Sequence, residues 1–281
     1  MVSVTVRKEI VVYCQESYEV SERRACRVIG MHRSVQQYES QPDQNGWLRE
    51  KLKDLAEKRR RFGSPRMYCM IRREGHLVNH KRVERIYRQE GLSLRLKRRR
   101  KRAIQPRVSM ECPSQPNERW SMDFVSDQLF YGRRFRCLTI VDDTSKEAPA
   151  IEVDVSLTGE RITRTLDRLA FTQGLPKVLR MDNGPEFQSK ALDEWAYRNG
   201  VQLEFIRPGK STDNAYIESF NGKFRDECLN ESWFTSLEEA KKTIEDWRVD
   251  YNEHRPHSAL GGIPPREYRE RQRSVLHNAG V

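Results

Sequence analysis

Three acids in this sequence stand where carboxylate chemistry is feasible: Asp123, Asp182 and Glu218. Asp123 lies among Trp120, Met122 and Phe124 in a segment patterned as a strand. An acid in that apolar setting is costly alone, because burial favours its neutral form and a bound cation reverses the preference. Asp182 ends the run Val178–Met181 and leads into Asn183-Gly184-Pro185, a tight turn after a strand's carboxyl end, where α/β sheets bind ligands. Glu218 falls in a helical pattern from Asp213 to Phe224. There Ile217, Phe220 and Phe224 form the buried stripe, and Asn214, Glu218, Asn221 and Arg225 share an adjacent polar face. Thirty-five residues separate Asp182 from Glu218, but about one residue in seven is acidic, so context rather than spacing carries the signal.

Three carboxylates without a Cys or His ligand suit hard, oxygen-preferring cations, magnesium first and manganese as a substitute. Two such ions about 3.5 to 4 Å apart activate a nucleophile on one side of a phosphodiester and stabilise the leaving oxygen on the other. In this reading Asp123 bridges both metals, while Asp182 and Glu218 each hold one. The bland alternative for any one of these acids is a surface salt bridge.

The elements around the acids predict a mixed sheet flanked by helices. Strands are expected at Trp120–Val125, Arg136–Val141 and Ala150–Val155, then a helix through Ile162, Leu166 and Leu169, a strand at Val178–Met181, a helix from Phe187 to Tyr197 and a short strand at Val201–Ile206. Three antiparallel strands followed by α/β units is the ribonuclease-H-like order. The fold class is therefore α/β, a ribonuclease-H-like mixed sheet over residues 119–270 with a tail at 271–281, preceded by small all-α segments.

Residues 1–40 pattern as helices resembling a helix-turn-helix. Ser21 is an expected N-cap and Gly30 a stop, with His32, Arg33 and Ser34 opening a further helix. A second helix-turn-helix-like, DNA-binding segment is expected at 47–94. Leu48, Leu52 and Leu55 keep helical spacing, the chain breaks at Gly63-Ser64-Pro65, and the last helix runs from His80 to Gln89. In that helix Val83, Ile86 and Tyr87 point inward while Lys81, Arg82, Arg85 and Arg88 face elsewhere, the arrangement of a basic helix laid against DNA. His76 and His80 stand four apart, but no Cys-x-x-Cys completes a zinc site.

Between the two halves lies a basic, Pro-containing linker at 95–118. Arg95 to Arg102 is basic at seven of eight positions, and Arg98, Arg99, Arg100, Lys101 and Arg102 are expected to track a phosphate backbone. Further DNA contacts are expected from Lys210, Asn214, Lys223 and Arg225 around the acidic helix.

The formal net charge is +11 over 281 residues, and its distribution is uneven. Residues 1–119 hold 29 Lys and Arg against 14 Asp and Glu, and the remainder 23 against 27. A DNA-gripping half joined to an acid-bearing half accounts for that asymmetry. The six cysteines form no Cys-x-x-Cys pair and no disulfide framework, no apolar run approaches a membrane span, and the N-terminus carries no secretory pattern. A cytoplasmic, nucleoid-associated protein without membrane contact is expected.

The sequence resembles the second reading frame of bacterial insertion-sequence transposases of the family numbered three, which carries a retroviral-integrase-like core. The matching stretches are Trp120–Phe124, Asp182–Phe187, Arg207-Pro208-Gly209-Lys210, Asn214–Gly222, and Tyr251-Asn252 through Arg255–Leu260. The resemblance implies that Asp123, Asp182 and Glu218 are the acidic triad, that magnesium is the cofactor, and that the substrate is double-stranded DNA at the element's own terminal repeats. It implies a two-step reaction in which water frees a 3′-hydroxyl at the element's end and that hydroxyl then attacks target DNA. Family members usually act as a frameshift fusion whose first frame supplies a helix-turn-helix and a coiled coil. No sustained heptads occur here, so a first-frame partner or fusion is expected, as is a homo-oligomer on DNA. The rival readings are a non-catalytic DNA-binding regulator of transposition and a nuclease of RNA–DNA hybrids, the latter disfavoured by the basic helical front half. His254 and His257, near Arg255, are read as DNA contacts or as a cap on the core, without a catalytic part.

Overall fold

The computed structural model describes residues 2–39, 43–95, 113–207 and 214–278, and the chain divides into two compact units, 1–47 and 48–281. The first unit is helical: α1 (Val4–Tyr18), α2 (Glu22–Ile29) and α3 (Arg33–Gln36). Ser21 is the N-cap residue of α2, and Gly30 ends it at φ 66°, a left-handed position that glycine adopts without a Cβ penalty. His32 caps α3 by accepting from the Ser34 amide. Val11, Ala25, Cys26 and Met31 form this unit's small core.

The second unit opens with α4 (Gly46–Lys58), α5 (Ser64–Arg73) and α6 (His80–Gln89). Leu48, Leu52, Leu55, Met67, Ile71, Val83 and Ile86 bury one stripe from each helix in a common core. These helices also dock on the sheet domain through charge. Arg59 pairs with Asp250, Arg61 with Glu231 at 2.9 Å, Arg66 with Glu227 at 3.0 Å and Arg73 with Glu267 at 2.6 Å. Part of the front half's arginine excess is thus spent on acids of the other half.

The sheet domain follows as β1 (Arg119–Gln128), β2 (Arg134–Asp142), β3 (Ala150–Asp154), α7 (Gly159–Gln173), β4 (Val178–Met181), α8 (Lys190–Asn199), β5 (Gln202–Phe205), α9 (Ala215–Glu227), α10 (Leu237–Glu253) and α11 (Pro265–Asn278). The sheet order is β3-β2-β1-β4-β5. The first three strands are antiparallel neighbours, and β1–β4 and β4–β5 are parallel, as expected of a ribonuclease-H-like mixed sheet. One face packs Trp120, Met122, Leu138 and Ile140 against Ile162, Leu166, Leu192 and Trp195 of α7 and α8. The other packs Val125, Phe135, Cys137 and Val141 against Ile217, Phe220, Phe224, Ile244 and Tyr251 of α9 and α10.

Three boundaries differ from the sequence expectation. The β1–β2 ladder extends to Gln128 opposite Arg134, because the backbone hairpin continues past the last apolar alternation into Ser126, Asp127 and Gln128. The helix expected from Phe187 starts at Lys190. Gly184 to Gln188 is instead a turn, with the Phe187 and Gln188 amides bonded to the Gly184 carbonyl, and Ser189 caps α8. The expected tail at 271 is the second half of α11, whose Arg269 and Arg266 pair with buried Glu147.

Candidate active site

Alternation along β1 decides which way Asp123 points. Trp120 and Met122 are packed in the α7–α8 core, and Val125 belongs to the α9–α10 core, so Asp123 shares the α9 side with Ser121 and Val125. Asp123 pairs with Thr139 across the β1–β2 ladder. On the other flank Ser121 pairs with Arg180 in β4, and continuing that parallel register by two residues sets Asp182 alongside Asp123.

The Asp123 carboxylate is held at both oxygens. Oδ1 accepts from the Phe124 amide at 2.7 Å and Oδ2 from Asn221 Nδ2 at 2.7 Å. Asn221 is itself oriented, its Oδ1 lying 2.9 Å from the Thr139 hydroxyl, which is 3.1 Å from the Asp123 carbonyl oxygen. This network ties α9 to β1 and β2 one turn beyond Glu218. Burial is the largest influence on Asp123 and pushes its pKa up, with the Asp182 and Glu218 carboxylates adding to the rise against the hydrogen bonds from Phe124 and Asn221. Asp123 therefore senses the charge of the other two acids.

Asp182 follows the last residue of β4, and its Oδ1 accepts from the Gly184 amide at 3.0 Å. A Cβ on Gly184 would lie 3.0 Å from that same oxygen, so a side chain there would displace the carboxylate by a few tenths of an ångström. Glu186, a fourth acid nearby, is engaged elsewhere. Arg136 pairs with it and holds its carboxyl below the usual range, and the Arg136 guanidinium sits 4.1 Å from the Phe124 ring centroid. Phe124 in turn stacks on Phe187 at 4.8 Å, on the α7–α8 side of the sheet.

Glu218 is exposed in the first turn of α9, whose buried residues include Ile217, Phe220 and Phe224 as the periodicity requires. Among the described residues no three Asp, Glu, His or Cys side chains converge tightly enough to cage a metal. The donor chemistry nonetheless fits magnesium: three carboxylates, no softer ligand, and a half-buried acid burdened by two like charges that a cation would relieve.

The expected DNA contacts fall in several places. Lys81 and Arg85 are exposed on α6 and Arg82 is half-buried there. Arg225 is exposed on α9, and Lys223 is half-buried in a cleft against the helical module. Asn214 is 4% exposed. Arg98, Arg99, Arg100, Lys101, Arg102 and Lys210 lie outside the described residues. His257 is buried with its ring edge-on to Tyr251, 4.9 Å between centroids, and caps the core, while His254 is exposed. His80 packs against Tyr68. Asn221, Thr139 and Arg136 escaped the sequence reading as parts of the site. Asn221 was signalled only by its place three residues after Glu218 on the same face, and Thr139 by being polar in an apolar strand.

Comparison with known proteins follows the same division of the chain. Residues 113–211 and 199–265 match integrase core domain families, and residues 44–102 match an HTH-like domain family. The chain is 52% identical, over 93% of its length and 95% of the relative's, to the insertion element IS407 uncharacterized 31.7 kDa protein of Burkholderia multivorans. It is 26% identical, over 82% of its length and 85% of the relative's, to the putative transposase InsK for insertion sequence element IS150 of Escherichia coli. Among solved structures it resembles a chain of the simian T-cell lymphotropic virus intasome in complex with the PP2A regulatory subunit B56 gamma, at 14% identity, covering 78% of this chain and 74% of that one with a TM-score of 0.50, a likeness of fold. A helical HTH-like segment, an integrase core and close insertion-element relatives together mean that the chain belongs to the bacterial insertion-element transposases.

Proposed function

We propose that this transposase cuts and joins DNA with Asp123, Asp182 and Glu218 as its catalytic acids, loaded with magnesium. The observation that carries the reading is the half-buried Asp123 carboxylate, which accepts from the Phe124 amide and from Asn221 and has no cation partner among the described residues, its pKa raised first by burial and then by the Asp182 and Glu218 charges. Two magnesium ions, or manganese in their place, would be held by the three carboxylates and would polarise the phosphodiester and activate its nucleophile.

The chain's own residues supply placement. Asn221 and the Phe124 amide hold the Asp123 carboxylate in one orientation, and the Gly184 amide does the same for Asp182. Arg136 pairs with Glu186. In the first step water attacks the phosphorus at the element's end, the P–O3′ bond breaks, and the freed 3′-hydroxyl takes a proton. In the second step that hydroxyl attacks a phosphodiester of target DNA, joining element to target and releasing a new 3′-hydroxyl. The substrate is the element's terminal repeats. The exposed Lys81 and Arg85 of α6 and Arg225 of α9 grip the backbone, with the basic run Arg98–Arg102 and Lys210 adding charge. Two ends processed together call for more than one copy of the chain on DNA, and a first-frame partner supplies end recognition.

The test is strand transfer of a labelled element-end duplex with magnesium, with the first-frame partner added and omitted. The wild type should join DNA, and Glu218→Gln should bind without joining. If both bind and neither reacts with the partner present, the chain is a DNA-binding regulator.

A further inference from the structure

Helix α9 carries Glu218 beside β1, but about 140° further round the same helix, and about 7.5 Å along it, stands Lys223. This face borders a cleft of about 930 Å³ between the helical module and the sheet domain, both within the second unit. Among the described residues five cations line it: Arg61 and Arg66 from before and within α5, Lys146 from the β2–β3 connection, Lys223 from α9, and Arg255 beyond α10. Two carboxylates among the described residues, Asp226 and Glu227, oppose them. Glu227 is already spent, accepting from Arg255 at 2.6 and 2.7 Å and from Arg66 at 3.0 Å, while Asp226 lies 3.5 Å from Arg61. His257 also lines the cleft and, beside Arg255, adds no acid. The Lys223 ammonium donates to the Ser219 hydroxyl at 3.1 Å, its one hydrogen bond among the described residues, which leaves two N–H groups to spare.

Resting on the DNA-processing reading, we propose that this cleft seats a backbone phosphate of the DNA strand whose reacting phosphodiester lies at Glu218, with Lys223 and the unused N–H groups of Arg66 as its donors. A phosphate brings the negative charge that the cleft lacks, and hydroxyls of Ser219, Tyr216 and Ser258 line the same wall. Burial first, then Arg255, Arg66 and Lys146, against Glu227, push the Lys223 pKa down to about 8. Because the contact is to phosphate, it fixes the strand's register against α9 without reading sequence.

The experiment is equilibrium binding of the full chain, with its first-frame partner, to the element-end duplex and to an unrelated duplex of equal length over a sodium chloride series. Lys223→Gln should weaken binding to both duplexes alike and lower the salt slope by about 1. Lys223→Arg should keep most of the affinity. Wild-type affinity should also fall between pH 7 and 9 as the amine loses its proton, and Lys223→Gln should not follow. Thermal melting establishes that each variant is folded, and the retained Lys223→Arg keeps the test valid if the Gln form is not. Unchanged affinity, slope and pH response in folded Lys223→Gln, with the wild type binding normally, overturns the cleft and leaves the transposase reading standing. Absence of wild-type binding to either duplex overturns both.

Discussion

Two sets of acids in the second unit are treated in opposite ways. Asp143, Glu147 and Glu227 each face arginine. Asp143 accepts from Arg119 at 2.6 Å and Ser121 at 2.7 Å, Glu147 from Arg269 at 2.7 Å, and Glu227 from both Arg255 and Arg66. Asp123 faces no cation among the described residues, only the amides of Phe124 and Asn221, and has two further acids as electrostatic neighbours. An acid that holds a fold together is neutralised by the chain, because breaking a buried ion pair leaves an uncompensated charge. An acid left without that neutralisation keeps its demand for a cation open, and that demand separates a site from a strut.

The contrast breaks most visibly at Asp123. Asp123→Asn should lower strand transfer by on the order of 10³-fold or more, since several kcal/mol of transition-state stabilisation go with the site. Its metal-free melting temperature should be no lower than that of the wild type, because a repelled charge has been removed. Magnesium should raise the wild-type melting temperature and not the variant's. Equal magnesium stabilisation of both would remove Asp123 from the metal set.

Glu227→Ala tests the opposite class. With Arg255 and Arg66 left facing each other, urea denaturation should show a loss of about 3–5 kcal/mol. A loss under 1 kcal/mol would mean that Glu227 is not what holds the two arginines.

Gly184→Ala probes placement rather than charge. The new Cβ would meet Asp182 Oδ1 at 3.0 Å, so the carboxylate must shift by a few tenths of an ångström. Joining activity should fall about tenfold, the scale expected for a displaced catalytic group, with little change in melting temperature. Unaltered activity would show that the turn yields.

A pH-dependent effect concerns His257, the neutral buried base beside these arginines. Arg255 Nη1 lies 3.3 Å from its Nε2, and burial first, then Arg255 and Lys223, push its pKa down to about 2. The unfolded chain takes up this proton near pH 6.5 and the folded chain does not until about 2. Its contribution to stability is therefore full above pH 6.5 and is lost progressively as pH falls through that window. Denaturation curves between pH 7 and 4 should show this slope in the wild type and a flatter one in His257→Asn.

Much of the fold could be read before the structure. The strand at Val178–Met181 and the helix at His80–Gln89 fall at the expected residues, because each is short, bounded by turn residues and periodic on its own. Phe187 misled the α8 boundary because its burial in a turn mimics a helical position. The acids were legible as candidates through their local settings. Their partners were not: Asn221 reaches Asp123 across 98 positions of sequence, and Arg136 reaches Glu186 across 50. The Lys223 cleft was likewise invisible, since Arg66 and Arg255 are far from α9 in sequence and meet only when the helical module docks.

By itself, then, the sequence determined the element order, the sheet class and which acids had no local reason to be where they are, because periodicity and turn chemistry act over a few residues. Tertiary structure alone decided which arginines are available to DNA and which are consumed by Asp250, Glu231, Glu227 and Glu267. Charge pairing depends on distance in space, and a count of basic residues along the chain carries no information about it.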